Sequence, residues 1–308
     1  MILEKKNQEK SLKNKVFVIV GPTAVGKTAL GIELCQKFNG EVISGDSQQV
    51  YRGLDIGTAK ASQSEQNAAV HHLIDVRDVE ESYSAFDFVH EANQEIEQIL
   101  SEGKIPVIVG GTGLYIQALI EGYHLGGESA HKEMMVLRKE LSVLTDAELF
   151  EKLTQKNIVL NEPNRRRAIR ALELDQYGQG KNVGSPYDFF LIGLNTSRDV
   201  LYERIDARVD VMRTKGLVEE ARQLFDEFPN VQAARAIGYK EFFPYFRNEI
   251  TDKEALENVK RNSRRYAKRQ LTWFKNRMSV PFFDVRDENY PQNVLEAAQK
   301  FLEESPVS

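Results

Sequence analysis

The stretch Lys15 to Thr28, KVFVIVGPTAVGKT, decides how the rest of the chain is read. Lys15 to Val20 is a short, largely β-branched apolar run closed by Gly21, the pattern of a strand buried on both faces of a parallel sheet. The next eight residues, Gly21, Pro22, Thr23, Ala24, Val25, Gly26, Lys27 and Thr28, fit G-x-x-x-x-G-K-[ST] and run straight into a helical pattern. Glycines there let backbone N–H groups wrap an anion, and the helix N-terminus adds positive potential. Lys27 reaches phosphate oxygens and Thr28 offers a hydroxyl to Mg²⁺. A Gly-rich turn without a ligand would leave Lys27 unexplained, so the loop is read as a phosphate site. Whether the phosphate belongs to a nucleotide stays open.

Outward from this loop, further strand-like runs occur at Glu41 to Ser44, Leu73 to Val76, Ile105 to Val109 and Phe189 to Leu194, with helical stretches or longer connections between them. The alternation predicts an α/β fold, a P-loop NTPase-like core built on a parallel sheet. The clearest helix is Ser84 to Leu100: Ser84 is the N-cap with Asp87 three residues on, and Phe88, Ala92, Ile96 and Ile99 share one face. From Tyr123 to Tyr187 the strand signal disappears and amphipathic helical patterns take over, ending in GQGKNVGSPYD. The expected organisation is therefore a core at 14–122, a helical insertion domain at 123–187, and the core continued at 188–308. Helices are expected from Asp199 to Phe228 and from Lys253 to Met278, then a last strand in PFFDV. No internal repeat or low-complexity tract is present.

Of the 308 residues, 41% are hydrophobic and 28% charged. No apolar run approaches the roughly 18 residues that cross a bilayer, so no membrane role is expected. The N-terminal MILEKKNQEKSLKNK has no apolar stretch of its own and reads as a short tail, not a secretory signal. A single cysteine, Cys35, within a helical pattern excludes an internal disulfide and fits a reducing, cytoplasmic setting. His71 and His72 are adjacent and would point to opposite faces of a strand, so no metal site is expected there. The net charge of −5 argues against a protein that coats nucleic acid with its whole surface, yet leaves room for local basic patches.

Asp46, Ser47, Gln48 and Gln49 follow the strand EVIS directly. Residues just past the carboxyl ends of parallel strands face the ligand crevice, which puts Asp46 at the edge that carries the P-loop. On position alone an Asp opening a turn competes evenly with this reading. Gly110, Gly111 and Thr112 leave a third strand at the same edge. A basic segment runs from Asn258 to Arg277 without an acidic residue. It holds Lys260, Arg261, Arg264, Arg265, Lys268, Arg269, Lys275 and Arg277, beside an apolar stripe of Ala267, Leu271, Phe274 and Met278. Ordinary solvated faces mix both signs, so a phosphate-backbone contact surface is the better reading. A smaller cluster, Arg165, Arg166, Arg167 and Arg170, falls in the insertion.

The segments GPTAVGKTAL, EVISGDSQQVYRGLDIGTAK, HHLID, IPVIVGGTGLYIQAL, RIDARV, RAIGYKEF and RRYAKRQLTWFKN, in this order and over nearly the whole chain, resemble the bacterial tRNA dimethylallyltransferases, also called tRNA isopentenyltransferases. The resemblance implies a P-loop core with a helical insertion. It also implies transfer of a dimethylallyl group from its diphosphate to N6 of the adenosine immediately 3′ of the anticodon, at position 37, with Mg²⁺. Carried over by motif, Asp46 is the base at the amine, Thr112 contacts the reacting groups and Arg208 binds diphosphate. Gly21 to Thr28 holds that diphosphate and Asp46 to Gln49 meets the flipped base. Arg166, Arg167 and Arg170, with Arg264, Arg265 and Lys268 of the basic segment, contact tRNA. This sequence departs from the family pattern in having Gly45 where Ala is usual and Met135 where an Arg is expected.

The chemistry asks for such parts. An exocyclic adenine amine is a poor nucleophile, so leaving-group charge must be neutralised and a proton removed as the C–N bond forms. A base swung out of an anticodon loop must meet a buried donor, which predicts a through-going cavity: diphosphate from the P-loop side, base from the other. A monomer in complex with the tRNA anticodon stem-loop and dimethylallyl diphosphate is expected. The P-loop by itself would also suit a small-molecule kinase with Asp46 as base. A non-catalytic RNA-binding module that kept a structural anion site is the third reading.

Overall fold

The computed structural model describes residues 14–125, 128–178 and 182–304. The N-terminal tail reading and part of the Gly-rich stretch before Phe189 lie outside the described residues. The first half runs β1 (Lys15–Val20), α1 (Lys27–Phe38), β2 (Gly40–Ser44), α2 (Gln63–Ala68), β3 (His71–His72), α3 (Ala85–Ser101), β4 (Ile105–Gly110) and α4 (Gly113–Ile120). Three helices follow: α5 (Glu128–Ser142), α6 (Asp146–Gln155) and α7 (Arg165–Tyr177). The chain then continues through β5 (Asp188–Asn195), α8 (Arg198–Thr214), α9 (Leu217–Glu227), α10 (Phe243–Phe246), α11 (Asp252–Arg277), β6 (Phe282–Asp284) and α12 (Gln292–Glu303).

The strands form one six-stranded sheet in the order β3-β2-β4-β1-β5-β6, every pair parallel. Alternation along β1 divides the core into two layers. Phe17 and Ile19 pack with Leu30 and Leu34 of α1 and with Val294, Leu295 and Ala298 of α12. Val16, Val18 and Val20 pack on the other face with Phe88, Ala92, Ile96 and Ile99 of α3. Both ends of the Ser84–Asp87 capping box are made: the Asp87 N–H reaches the Ser84 hydroxyl, and the Asp87 carboxylate accepts from the Ser84 N–H at 2.8 Å.

The strand expected at Leu73 to Val76 is displaced. Only His71 and His72 pair with β2, because Leu73 and Asp75 take left-handed φ values of 58° and 54° that end the extended run. The imidazole of His72 sits between Glu41 and Glu95, at 2.6 and 2.7 Å. The C-terminal helix α12 was not anticipated. It carries Val294, Leu295 and Ala298 into the core, and the buried Lys15 ammonium donates to the carbonyls of Phe301 and Glu304 at its end.

The chain divides into two compact units, one made of the parts up to Ile120 and from Pro186 onward, the other Glu121–Ser185. The smaller unit is helical. Leu141, Leu149, Leu153, Ala168 and Leu172 form its core, and Arg138 makes a two-pronged ion pair with the fully buried Glu173.

At the carboxyl edge of the sheet, two neighbouring strand ends touch through glycine. A Cβ on Gly110 would lie 2.4 Å from the Gly45 carbonyl oxygen, whereas a Cβ on Gly45 would meet only Ile116 side-chain carbons at 3.4 Å and Gly110 Cα at 3.5 Å. Gly110→Ala should therefore cost about 1–3 kcal/mol or more, because rigid backbone has to move. Gly45→Ala should leave the melting temperature close to wild type. Thermal denaturation of the two variants checks the asymmetry; equal losses would contradict it.

Candidate functional site

Three turns leave adjacent strands at that edge: the P-loop after β1, Gly45 and Asp46 after β2, and Gly111 and Thr112 after β4. In the P-loop Gly26 has φ 108°, a backbone that L side chains rarely adopt, and it opens directly into α1. The Lys27 ammonium donates to the carbonyls of Gly21 and Pro22, at 3.1 and 2.8 Å. Arg208, reaching in from α8, donates to the Thr23 hydroxyl at 3.1 Å. Burial holds Arg208 below its ordinary value, with Asp46 and Glu65 opposing.

Asp46 accepts from the Gln48 N–H at 2.9 Å. Burial pushes its carboxyl above the ordinary aspartate value, against the Gln48 N–H and the charges of Lys27 and Arg208. The Thr112 hydroxyl accepts from the Ser47 N–H at 3.0 Å, and Thr112 N–H donates to the Gly45 carbonyl at 3.3 Å. Gln49 accepts from the Ser44 hydroxyl at 3.0 Å and donates to the Ala59 carbonyl at 3.3 Å, tying Asp46 to the loop 55–60.

Two cavities meet here. The larger, about 1110 Å³, is lined by Lys27, Thr28, Ser44, Gln49 and Lys60 among others. The smaller, about 310 Å³, is lined by Ser47, Gln48, Ile205, Val209, Val259 and Arg269 among others. Thr23, Ala24, Asp46, Thr58, Arg208, Met212 and Tyr266 belong to both. The sequence reading thus named Asp46 and Arg208 on the shared wall, with the P-loop on one side and Ser47 and Gln48 on the other.

Three organising residues escaped it. Gln270 of α11 accepts from Thr23 N–H at 2.9 Å and donates to the Gly111 carbonyl at 3.0 Å. Tyr266, one turn earlier, has its phenol pushed up by burial and by the Asp46 charge. Glu220 of α9 accepts from the N–H groups of Asp55, Ile56 and Gly57 at 2.8–3.0 Å and from the Tyr239 hydroxyl at 2.7 Å. Glu220 thereby clamps the loop whose Lys60, 3% exposed at its side chain, bridges Asp55 and Asp75. The first two sit in a segment whose pattern is dominated by its cations and apolar stripe, and Glu220 lies in an amphipathic helix with no motif of its own.

The basic residues divide sharply. Lys260 pairs with Asp210, and Arg264 pairs with Asp206 and lies over the Tyr202 ring, so both are held inward. Arg265 and Lys268 are exposed and, among the described residues, have no ion-pair partner. In the helical unit Arg165 binds Asp146 and two carbonyls, Arg167 binds Glu162 and Arg170 binds Glu173. Arg166 is exposed and has no ion-pair partner among the described residues.

Burial, reinforced by Arg208, lowers Lys27 from 10.5 to about 7. Between these values the unfolded chain binds a proton that the folded chain does not. Stability from this group therefore grows as pH climbs from about 7 to 10.5 and is lost as pH falls back through 7. Melts of ligand-free protein across this window should show that rise relative to Lys27→Met, and inorganic diphosphate, which favours the charged ammonium, should suppress it. A wild-type minus variant difference that stays flat across the window would contradict this assignment.

The family model described as IPP transferase matches residues 49–277. The tRNA dimethylallyltransferase of Lactococcus lactis subsp. lactis is 65% identical over 290 residues, covering 94% of this chain and 99% of that protein. The Streptococcus mutans tRNA dimethylallyltransferase is 59% identical over 292 residues, with 94% and 99% covered. Among solved structures, the tRNA isopentenylpyrophosphate transferase of Bacillus halodurans superposes with TM-score 0.73 at 44% identity, covering 94% of this chain and 97% of that one. A eukaryotic dimethylallyltransferase acting on tRNA gives TM-score 0.80 at 28% identity, covering 96% and 81%. With a matching model over most of its length and close relatives aligned nearly end to end, the chain belongs to the IPP transferase family, the tRNA dimethylallyltransferases.

Proposed function

We propose that this protein transfers a dimethylallyl group from dimethylallyl diphosphate to N6 of the adenosine immediately 3′ of the anticodon of tRNA, releasing diphosphate. The observation that carries this reading is the wall shared by the two cavities, where one half-buried carboxylate, Asp46, stands with the cation Arg208 and the P-loop residue Thr23. A phosphate site and a second chamber that meet at a carboxylate suit a reaction joining an amine to the carbon of an allylic diphosphate.

The P-loop N–H groups and the α1 N-terminus receive the diphosphate, with Lys27 and Arg208 facing the charge that grows as the C–O bond breaks. Lys27 exchanges its two carbonyl partners for phosphate oxygens. Asp46 orients the amine and takes its proton as the new C–N bond forms; its raised affinity for protons brings it closer to that task than a solvated aspartate. Thr112 and the Ser47 N–H, locked together, hold the wall on the base side. Mg²⁺ fits the donor set: Thr28, with Ser44 and Gln49, offers oxygens in the same cavity, a sparse set of the kind this ion accepts when phosphates and water complete its shell. Bound there, it would neutralise diphosphate charge. The exposed Arg265 and Lys268, and Arg166 in the helical unit, are among the cations free to meet tRNA phosphates.

Incubation with dimethylallyl diphosphate, Mg²⁺ and unmodified tRNA, followed by nucleoside mass analysis, should find the C5 group on a single adenosine. Label moving from ATP to an acceptor, with no alkylated adenosine, would overturn the proposal. Asp46→Asn should fold and bind donor, yet turn over about 10²–10⁴-fold more slowly. The acid limb of the wild-type pH–rate profile should lie above the ordinary carboxylate range and disappear in that variant. Replacing Arg265 or Lys268 by Ala should weaken tRNA binding and flatten its salt dependence, by up to about 0.9 in log–log slope for each phosphate the side chain neutralises; an unchanged slope would remove these side chains from the interface.

A further inference from the structure

α11 presents two neutral polar side chains to the site, Tyr266 and Gln270, placed i and i+4 on one face. Gln270 is only 5% exposed, and both ends of its carboxamide are engaged. The oxygen accepts from Thr23 N–H at 2.9 Å and the nitrogen donates to the Gly111 carbonyl at 3.0 Å. Each end leads to one half of the reaction centre. Thr23 receives the guanidinium of Arg208 on its hydroxyl, so that end belongs to the diphosphate. Gly111 precedes Thr112, whose hydroxyl holds Ser47 beside Asp46, so the other end belongs to the base.

The β4 turn is shaped to this amide and to its helix. A Cβ on Gly111 would lie 2.1 Å from the Gln270 nitrogen, and one on Gly113 would lie 2.4 Å from the Trp273 ring. Thr23 offers a donor and Gly111 an acceptor, so the bridging group must accept at one end and donate at the other. A carboxamide, or a protonated carboxyl of the same length, does this; a carboxylate or a thioether does not.

We propose that Gln270 is a positioning residue for the transfer reaction: its amide sets the separation between the P-loop and the Gly111–Thr112 turn, and with it the approach of the amine to the allylic carbon. The proposal rests on the transferase reading above. It acts through the two turns, and the sensitivity is steep, since a shift of about 1 Å between reacting groups can cost on the order of 100-fold in rate.

Two variants test it in the full-length protein. Gln270→Met keeps approximate length and removes both hydrogen bonds. It should lower kcat on the order of 10- to 100-fold, while the Kd of dimethylallyl diphosphate and of the tRNA stem-loop, each measured alone, stay near wild type. Gln270→Glu keeps the acceptor for Thr23 and regains the donor to Gly111 only when its carboxyl is protonated. Its rate relative to wild type should therefore rise as pH falls, a limb that a purely structural role would not produce. A wild-type kcat in Gln270→Met, or a Gln270→Glu to wild-type ratio that is flat with pH, would overturn the proposal. So would a joint loss of both binary affinities and of melting temperature, the mark of a structural amide. Should Gln270→Met not fold, the pH limb of Gln270→Glu decides alone. Wild-type protein that failed to alkylate tRNA in the same assay would overturn the transferase reading itself, a failure separable from variants that merely match an active wild type.

Discussion

Backbone contact between Gly45 and Gly110 is the constraint on which the site depends. β2 and β4 are hydrogen-bonded neighbours, and their carboxyl ends come this close because Gly110 carries no Cβ where it meets the Gly45 carbonyl. That closeness lets Thr112 N–H reach the Gly45 carbonyl and the Thr112 hydroxyl reach Ser47 N–H, so the turn bearing Asp46 is fixed from its neighbour. β4 in turn lies beside β1, which delivers the P-loop. Strand order therefore brings three turns to one edge, and missing Cβ atoms let them close on one another. α11 seals the arrangement from above, with Gln270 on one glycine and Trp273 on another.

The electrostatics follow from this closure. Lys27 and Arg208 are both half-buried beside P-loop atoms, and among the described residues neither has an ion-pair partner within 4.0 Å. Lys27 is satisfied by two carbonyls and Arg208 by a hydroxyl, neutral partners that an anion displaces readily. Burial drives Lys27 down and Asp46 up, so their affinities for protons approach one another, and each opposes the other's shift through its charge. Such groups respond together: a diphosphate that restores the charge on Lys27 also alters the field at Asp46. An anion held in the P-loop would thus change the charge environment of Asp46.

Much of this was legible in the sequence because it is written in local patterns. The P-loop spacing, the β-branched runs and the Ser84–Asp87 cap are each decided within a few residues, and the parallel sheet follows from their alternation. The brevity of β3 was not legible, since two left-handed residues in an apolar run leave no mark in composition. α12 was passed over although Val294, Leu295 and Ala298 repeat at helical spacing. Asp46 and Thr112 could be placed at the sheet edge by the rule for parallel strands. Gln270 and Glu220 could not, because the backbone atoms they hold lie 159 and 247 residues away for Gln270 and 163–165 residues away for Glu220, which no side-chain pattern announces.

The division among the cations explains how an acidic chain can still present local basic surface. A count of Lys and Arg along α11 overstates that face, because Lys260 and Arg264 turn toward Asp210 and Asp206 of α8 and fasten the two helices together. The same division holds in the helical unit, where Arg165, Arg167 and Arg170 pair internally and leave Arg166 free. A cation already paired has to give up its carboxylate partner before it can neutralise a phosphate and release the counterion condensed there, whereas an unpaired exposed one does not. Affinity for RNA then depends on a few well-placed side chains, and the net charge of −5 remains compatible with it. The helix that carries Arg265 and Lys268 outward carries Tyr266 and Gln270 inward, so one element presents cations to the surface and lines the cavities at the sheet edge.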